Sequence, residues 1–239
     1  SEKVEATFFA AGQRFIPFVT SSTVTMERFM KRAVDLAISI LILLFSWPLF
    51  LIIAFLIKRD SRGPVIFQQQ RAGVNGRPFT VYKFRTMSVD TSEEDHRQAA
   101  RAFAENNTEF FEEHGIVEEG NQLTKLADNE DITRVGRWLR KSSLDELPQV
   151  FNVLKGEMSL VGPRPLPLYE LENFHSWHHN RLCVKPGVTG LWQVTGRSQV
   201  SFEDMVLLDI YYALNWSITL DWAILLRTVP TVLWARGAN

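Results

Sequence analysis

The sequence predicts an α+β protein, mostly helical, with one small β-hairpin. Three observations carry that expectation. A long uncharged run over residues 36–57 (LAISILILLFSWPLFLIIAFLI) is interrupted by Pro48. The pair Asn75-Gly76 stands between two strand-like segments, a strong hairpin signal. Over 142–156 (SSLDELPQVFNVLKG), Leu147, Val150, Phe151 and Leu154 recur at helical spacing, and Gly156 stands where the helix should stop. The chain has 239 residues, enough for one domain with a sizeable core, and a formal net charge of −1. That balance is not the strongly basic one of a nucleic-acid protein, so no nucleic-acid partner is expected. The single cysteine, Cys183, excludes an internal disulfide and fits a reducing compartment.

Residues 1–26 carry scattered aromatics and a Ser/Thr cluster. They read as a lead-in, a remnant of an upstream region, since the chain opens on Ser1. Residues 27–60 hold the apolar run, long enough for a helix to reach across a bilayer core. Pro48, preceded by Ser46 and Trp47, must remove one helical hydrogen bond and bend or break the helix. Both flanks are basic, Lys31 and Arg32 before and Lys58 and Arg59 after, whereas a spanning helix shows its excess on one side. Matched flanks and a central proline predict a re-entrant membrane helix that enters one leaflet and returns. Arg28, Lys31 and Arg32 are then expected at anionic head groups, and Asp35 is expected to pair with Lys31 one turn away.

Residues 61–239 form the remaining domain. Segments 65–67 and 79–84 are the hairpin strands, which gather Arg71, Lys83 and Arg85 near one turn. Residues 90–120 are acidic and helical in flavour, a solvated excursion. Residues 131–141 (DITRVGRWLRK) make a short basic amphipathic helix ending near Arg140. Asp145 and Glu146 follow at the start of the next helix. Two caps are open: Ser143 with Glu146 fits an S-x-x-E capping box but costs the helix an early bond at Pro148, whereas Asp145, the preferred N-cap, leaves Pro148 in the first turn, where no N–H is needed. Either register sets Asp145 at the positive end of a helix. Pro163 and Pro165 fix extended backbone around Arg164, suiting a bidentate contact to phosphate or carboxylate. His175, His178 and His179 lack a second ligand motif, so no metal centre is expected there. Residues 185–197 form a compact Gly-rich loop around Trp192 that ends on Arg197. Two amphipathic helices, 202–212 and 221–234, close the chain. The second suits either the membrane interface or the core.

These segments, KRAVDLAISILILL, SWP, GPVIFQQQRAGVNG, VYKFRTM, SLDELPQVFNVLKGEMSLVGPRPL, KPGVTGLWQVTGR and LDIYY, together resemble the bacterial sugar transferases known as monotopic phosphoglycosyl transferases. The resemblance runs from Met30 to about Thr228 in unbroken order. It implies an enzyme of the bacterial inner membrane, with its active site on the cytoplasmic face, that starts surface polysaccharide assembly. Such enzymes move a sugar-1-phosphate from a UDP-sugar to polyprenyl phosphate and release UMP. The family's re-entrant anchor breaks at a proline, as read here at Pro48.

Its catalytic Asp-Glu pair with Mg²⁺ falls on Asp145 and Glu146, which the resemblance makes both catalytic and metal-binding. Asp145 would form a phosphosugar-aspartyl ester that the lipid phosphate then displaces. Glu146 would orient the metal or handle a proton, and the sequence does not choose. Arg140 and Arg164 match basic active-site positions. Lys83, Arg85 and Arg197 lie in shared motifs and are assigned to phosphate or nucleotide contact. Minimal members lack a segment like 90–120, and the largest carry several membrane helices ahead of the catalytic part. This chain is therefore expected to be a mid-sized member or part of a large one. A non-catalytic membrane scaffold and a UDP-sugar hydrolase are the alternatives. The sugar is not legible, and the apolar faces suit lipid or a second copy, as a homodimer, equally well.

Overall fold

The computed structural model describes residues 22–88, 132–195 and 200–233. The expected lead-in up to residue 21, the 90–120 excursion and Arg197 lie outside the described residues.

Helix α1 (Ser22–Asp60) runs for 39 residues. The element continues through Pro48, so the proline removes one hydrogen bond without ending the helix. One side of α1 packs on the rest of the protein in two places. Ile38 and Ile42 lie against Val153, Leu160 and Tyr212. Leu49, Phe50, Ile53 and Ile57 lie against Phe84, Leu139 and Leu147. Along the other side Ile40, Leu41, Leu44, Phe45, Trp47, Leu51, Ile52 and Phe55 are exposed. By length and composition the helix is able to enter a bilayer.

Of the three cations expected at head groups, Lys31 and Arg32 are spent on the protein, which corrects their part of that expectation. Lys31 Nζ meets Asp221 Oδ2 at 2.5 Å, Val161 O at 3.1 Å and the Tyr212 hydroxyl at 3.3 Å. Arg32 donates to the carbonyls of Val153 (2.5 Å) and Leu154 (2.9 Å). Those carbonyls belong to the last turn of a helix, where four acceptors lack intrahelical donors. Asp35 does not take Lys31 as its hydrogen-bond partner. It is buried and accepts from Leu160 N at 3.0 Å and Ser159 Oγ at 3.1 Å. At the far end Asp60 Oδ2 accepts from Val135 N at 2.8 Å.

Strands β1 (Ile66–Ala72) and β2 (Pro78–Phe84) pair antiparallel, from Ile66 opposite Phe84 to Ala72 opposite Pro78. The turn between them uses Asn75 at φ 55° and Gly76 at φ 74°, the conformations that pair of residues tolerates best. Helix α2 (Arg134–Lys141) is N-capped by the Thr133 side chain, which accepts from Gly136 N. Gly136 lies so close to β2's exit that a Cβ there would fall 2.0 Å from Thr86 O.

A 3₁₀ segment (Leu144–Gln149) runs into α3 (Val150–Lys155), which ends on Gly156 at φ 82°. This corrects the cap reading. Ser143, at φ 55° and ψ 16°, stands before the segment, and Asp145 lies within its first turn. Pro148 lies inside this segment, where its missing N–H leaves one backbone bond unmade. Asn152, fully buried in α3, donates to Thr80 O (2.6 Å) and accepts from Tyr82 N (3.1 Å), tying α3 to the edge of β2.

Two short strands not anticipated from the sequence, β3 (Ser159–Val161) and β4 (Gly187–Thr189), pair in parallel. Their contact needs glycine: a Cβ on Gly187 would lie 2.1 Å from Gly162 N. Helices α4 (Leu191–Thr195), α5 (Phe202–Leu214) and α6 (Ile218–Leu233) complete the described chain. Helix α6 serves two surfaces at once. Ile224 is buried in the core, while Trp222, Leu226 and Val229 are exposed.

Candidate active site

Four elements bring charge to one place. Lys83 comes from β2, Arg140 from the end of α2, Asp145 and Glu146 from the 3₁₀ segment, and Arg164 from the chain after β3. Each is held by its backbone. Ser143 turns through the left-handed region just ahead of the two carboxylates, a conformation that costs a non-glycine residue on the order of 1 kcal/mol. Arg140 is held by Nε donating to Thr86 Oγ1 at 3.1 Å, across the contact that Gly136 permits. Arg164 sits between Pro163 and Pro165. Gly187 N donates to Pro163 O at 2.8 Å, and Arg71 Nη1 donates to Pro165 O at 2.6 Å.

Glu146 is the anion at the centre. Its Oε1 accepts from Lys83 Nζ at 2.8 Å and Arg164 Nη2 at 2.9 Å, while no described residue bonds to Oε2. Burial alone would raise its carboxyl, but Arg164 and Lys83 outweigh it and hold Glu146 well below the ordinary carboxylate range. Asp145 is in the opposite state. Its carboxylate accepts no hydrogen bond from a described residue. Burial, with Glu146 as a like charge, raises it above the ordinary value although Lys83, Arg164 and Arg140 pull the other way. Two adjacent acids are thus split into a neutralised one and a free one. Burial also lowers Lys83 and Arg140, opposed by Glu146 and Asp145 respectively.

The structure separates the residues predicted for the site. Lys83, Arg140, Asp145, Glu146 and Arg164 meet as expected. Arg85 does not join them, which corrects its assignment to substrate. It is buried and donates to Ser61 O at 3.0 Å and to Arg62 O, closing the end of α1. Strand alternation would have kept Arg85 on the same side as Lys83, two residues earlier, but β2 ends at Phe84, and beyond it the chain turns Arg85 to the end of α1.

Sequence reasoning missed three residues. Arg71 was grouped with the hairpin cations but holds Pro165; burial and the neighbouring Arg164 lower its guanidinium to about 10. Arg181 and Asp209 form a buried ion pair, and Arg181 Nη2 also donates to Arg164 O at 3.1 Å. The Asp of the LDIYY segment was the only signal for that pair.

Among the described residues no group of three or more His, Cys, Asp or Glu is arranged to hold a metal ion. Asp145 and Glu146 do offer hard oxygen donors, and Mg²⁺ commonly binds one or two carboxylates with the rest of its shell from substrate phosphate and water. The donor set fits such an ion.

A carboxylate with no hydrogen bond from a described residue, beside the cations Lys83, Arg140 and Arg164, is the arrangement that an enzyme acting on an anionic substrate would need. The chain belongs to the bacterial sugar transferases, whose family profile it matches over residues 26–235. It is 43% identical over 215 residues to the undecaprenyl-phosphate galactose phosphotransferase of Salmonella typhimurium, covering 89% of this chain and 42% of that protein. It is 39% identical over 233 residues to the exopolysaccharide production protein ExoY of Sinorhizobium fredii, with 98% of each covered. To the undecaprenyl-phosphate glucose phosphotransferase of Komagataeibacter xylinus it is 40% identical over 249 residues, covering 95% of this chain and 41% of that protein. The chain therefore spans less than half of two of these relatives and nearly the full length of the third.

Proposed function

We propose that this protein transfers a sugar-1-phosphate from a UDP-sugar to a polyprenyl phosphate, undecaprenyl phosphate in the cell, as a membrane step of surface polysaccharide assembly. The observation that carries the proposal is the split pair: Glu146 held as an anion by Lys83 and Arg164, and Asp145 left free beside it.

In the first step an Asp145 carboxylate oxygen attacks the phosphorus that bears the sugar. The bond from that phosphorus to the bridging oxygen breaks, and UMP leaves with the oxygen and its electron pair. The product is a phosphosugar-aspartyl ester. In the second step a phosphate oxygen of the polyprenyl phosphate attacks the same phosphorus and displaces Asp145, giving the polyprenyl-diphosphate sugar. Lys83, Arg140 and Arg164 neutralise the diphosphate and hold it in line. Glu146, depressed so far, is a weak base at neutral pH. That supports a role in fixing Lys83 and Arg164 and lending Oε2 to a metal rather than one in proton transfer. Asp145 and Glu146 would hold a Mg²⁺, which when bound adds charge neutralisation at the diphosphate.

The membrane reading has its own support. Lys31 and Arg32 at one end of α1 and Asp60 at the other all bond to the same catalytic domain. A helix crossing the hydrocarbon core could not return both ends to one folded domain on a single side. A re-entrant α1 at the cytoplasmic membrane satisfies both that constraint and its exposed apolar face, and it keeps the site where UDP-sugars are. The exposed Trp222, Leu226 and Val229 of α6 suit the same interface.

The test is a panel of UDP-sugars, with UDP-galactose and UDP-glucose among them, given undecaprenyl phosphate and Mg²⁺ in nanodiscs and read as UMP release. Lipid-linked sugar diphosphate is the expected product. Release of free sugar phosphate with water as acceptor, or silence across the panel with folded protein, would overturn the proposal.

A further inference from the structure

Arg164 meets Glu146 from a backbone that two other arginines grip. Arg71 holds the following carbonyl, Pro165 O. Arg181 holds Arg164's own carbonyl and pairs through the same Nη2 with Asp209 of α5. The side chains of Arg181 and Asp209 are 1% and 0% exposed, so this pair is shut off from solvent. Burying two charges is expensive, and an apolar pair of similar volume often serves stability as well or better. This pair is also poorly satisfied. Arg181 Nε and Nη1 and Asp209 Oδ1 have no hydrogen-bond partner among the described residues. Burial lifts the Asp209 carboxyl to about 6, against the pull of Arg181. Stability alone does not account for such a pair. Its one directed product is an N–H delivered to the main chain of the residue that carries the site's guanidinium.

We propose that Arg181, oriented by Asp209, is a positioning residue for Arg164: it fixes the Pro163-Arg164-Pro165 backbone so that the guanidinium meets the diphosphate of the donor in one place. The inference rests on the reading of the site given under Proposed function. Neither residue touches the reacting atoms. A displacement of about 1 Å at such a distance is enough to cost about 100-fold in rate.

The deciding variant is Arg181→Met with Asp209→Leu, which removes both charges and keeps the packing volume. Three quantities are measured in nanodiscs: melting temperature, UDP affinity by calorimetry, and kcat and KM for UMP release. The expected result is an unchanged or raised melting temperature, UDP affinity lower by about tenfold, and kcat/KM lower by roughly 10–100-fold. Placed on an Arg164→Ala background, the same pair of changes should cost less than about threefold more, because there is no guanidinium left to misplace. A folded variant with wild-type UDP affinity and turnover overturns the proposal. So does a loss that adds in full to that of Arg164→Ala. If the double variant does not fold, Asp209→Asn, which keeps the shape and one acceptor, carries the same comparison. A wild-type protein that binds UDP but releases no UMP would sink the transferase mechanism instead, and the UDP affinities would still decide the positioning role.

Discussion

Replacing each of the paired acids by its amide should move stability in opposite directions. Glu146→Gln removes the anion between Lys83 and Arg164 and leaves two cations facing each other. Removing one partner of a fully buried pair costs about 3–5 kcal/mol. Here the side chains of Lys83 and Glu146 keep 17% exposure and Arg164 30%, so a smaller loss of about 2–3 kcal/mol is expected. For a chain of this size that lowers the melting temperature by roughly 5–10 °C. Asp145→Asn instead removes a desolvated charge lying against a like charge, and should raise stability by roughly 1 kcal/mol. The pH dependence separates the two further. A carboxyl whose folded value is raised costs stability while ionised and ceases to cost it as the pH falls through that value. The gap between Asp145→Asn and wild type should therefore close on going from pH 8 to the acid side. A carboxyl whose folded value is depressed contributes above its ordinary value, 4.5 for Glu146, and loses that contribution only below it. The Glu146→Gln penalty should therefore stay constant over the same range. Differential scanning fluorimetry in nanodiscs across that range, with UMP release at each pH, is the assay. Asp145→Asn should also lose turnover by roughly 10⁴–10⁶-fold, as expected for a nucleophile. Equal shifts of the same sign for the two variants, or an active Asp145→Asn, would refute the division of labour.

Other consequences are open to measurement. Lys31→Met leaves Asp221 buried with, among the described residues, only Tyr212 and Trp216 as donors and should destabilise by about 2–4 kcal/mol. Lys58→Met, on the exposed flank, should change stability by less than about 0.5 kcal/mol, and equal effects would mean that Lys31 acts on lipid and not on the domain. In metal-free protein the Asp145 carboxyl, raised from 3.8 by burial and by Glu146, should titrate above that value when followed by carboxyl NMR; titration at or below about 4 contradicts the reading of its surroundings. Chelation with EDTA should stop UMP release and added Mg²⁺ restore it, whereas turnover indifferent to chelation removes Mg²⁺ from the mechanism.

The sequence by itself determined what local rules govern. An uncharged run of that length has few conformations open to it other than a long helix. Asn75-Gly76 tolerates the positive φ that the hairpin turn requires. The helical periods near 150, 205 and 225 each became a helix, and the adjacent acids, with Arg164 between prolines, were visible as a candidate site. Tertiary structure decided which partner each charged group took. Lys31 pairs with a residue 190 positions away rather than with Asp35, and Arg85 turns from the site to the end of α1, though Lys83 two residues earlier stays. The strands β3 and β4 pair only because glycines far apart in the chain allow their backbones to touch. The same holds for the two acids, alike in sequence: Lys83 and Arg164 act on both, but among the described residues they bond directly to Glu146 alone, so one carboxylate is neutralised and the other left without a hydrogen bond. Spacing along a chain sets which face a side chain occupies. Its charge state and its role depend on what is buried against it, and that is settled by contacts between residues that the sequence keeps far apart.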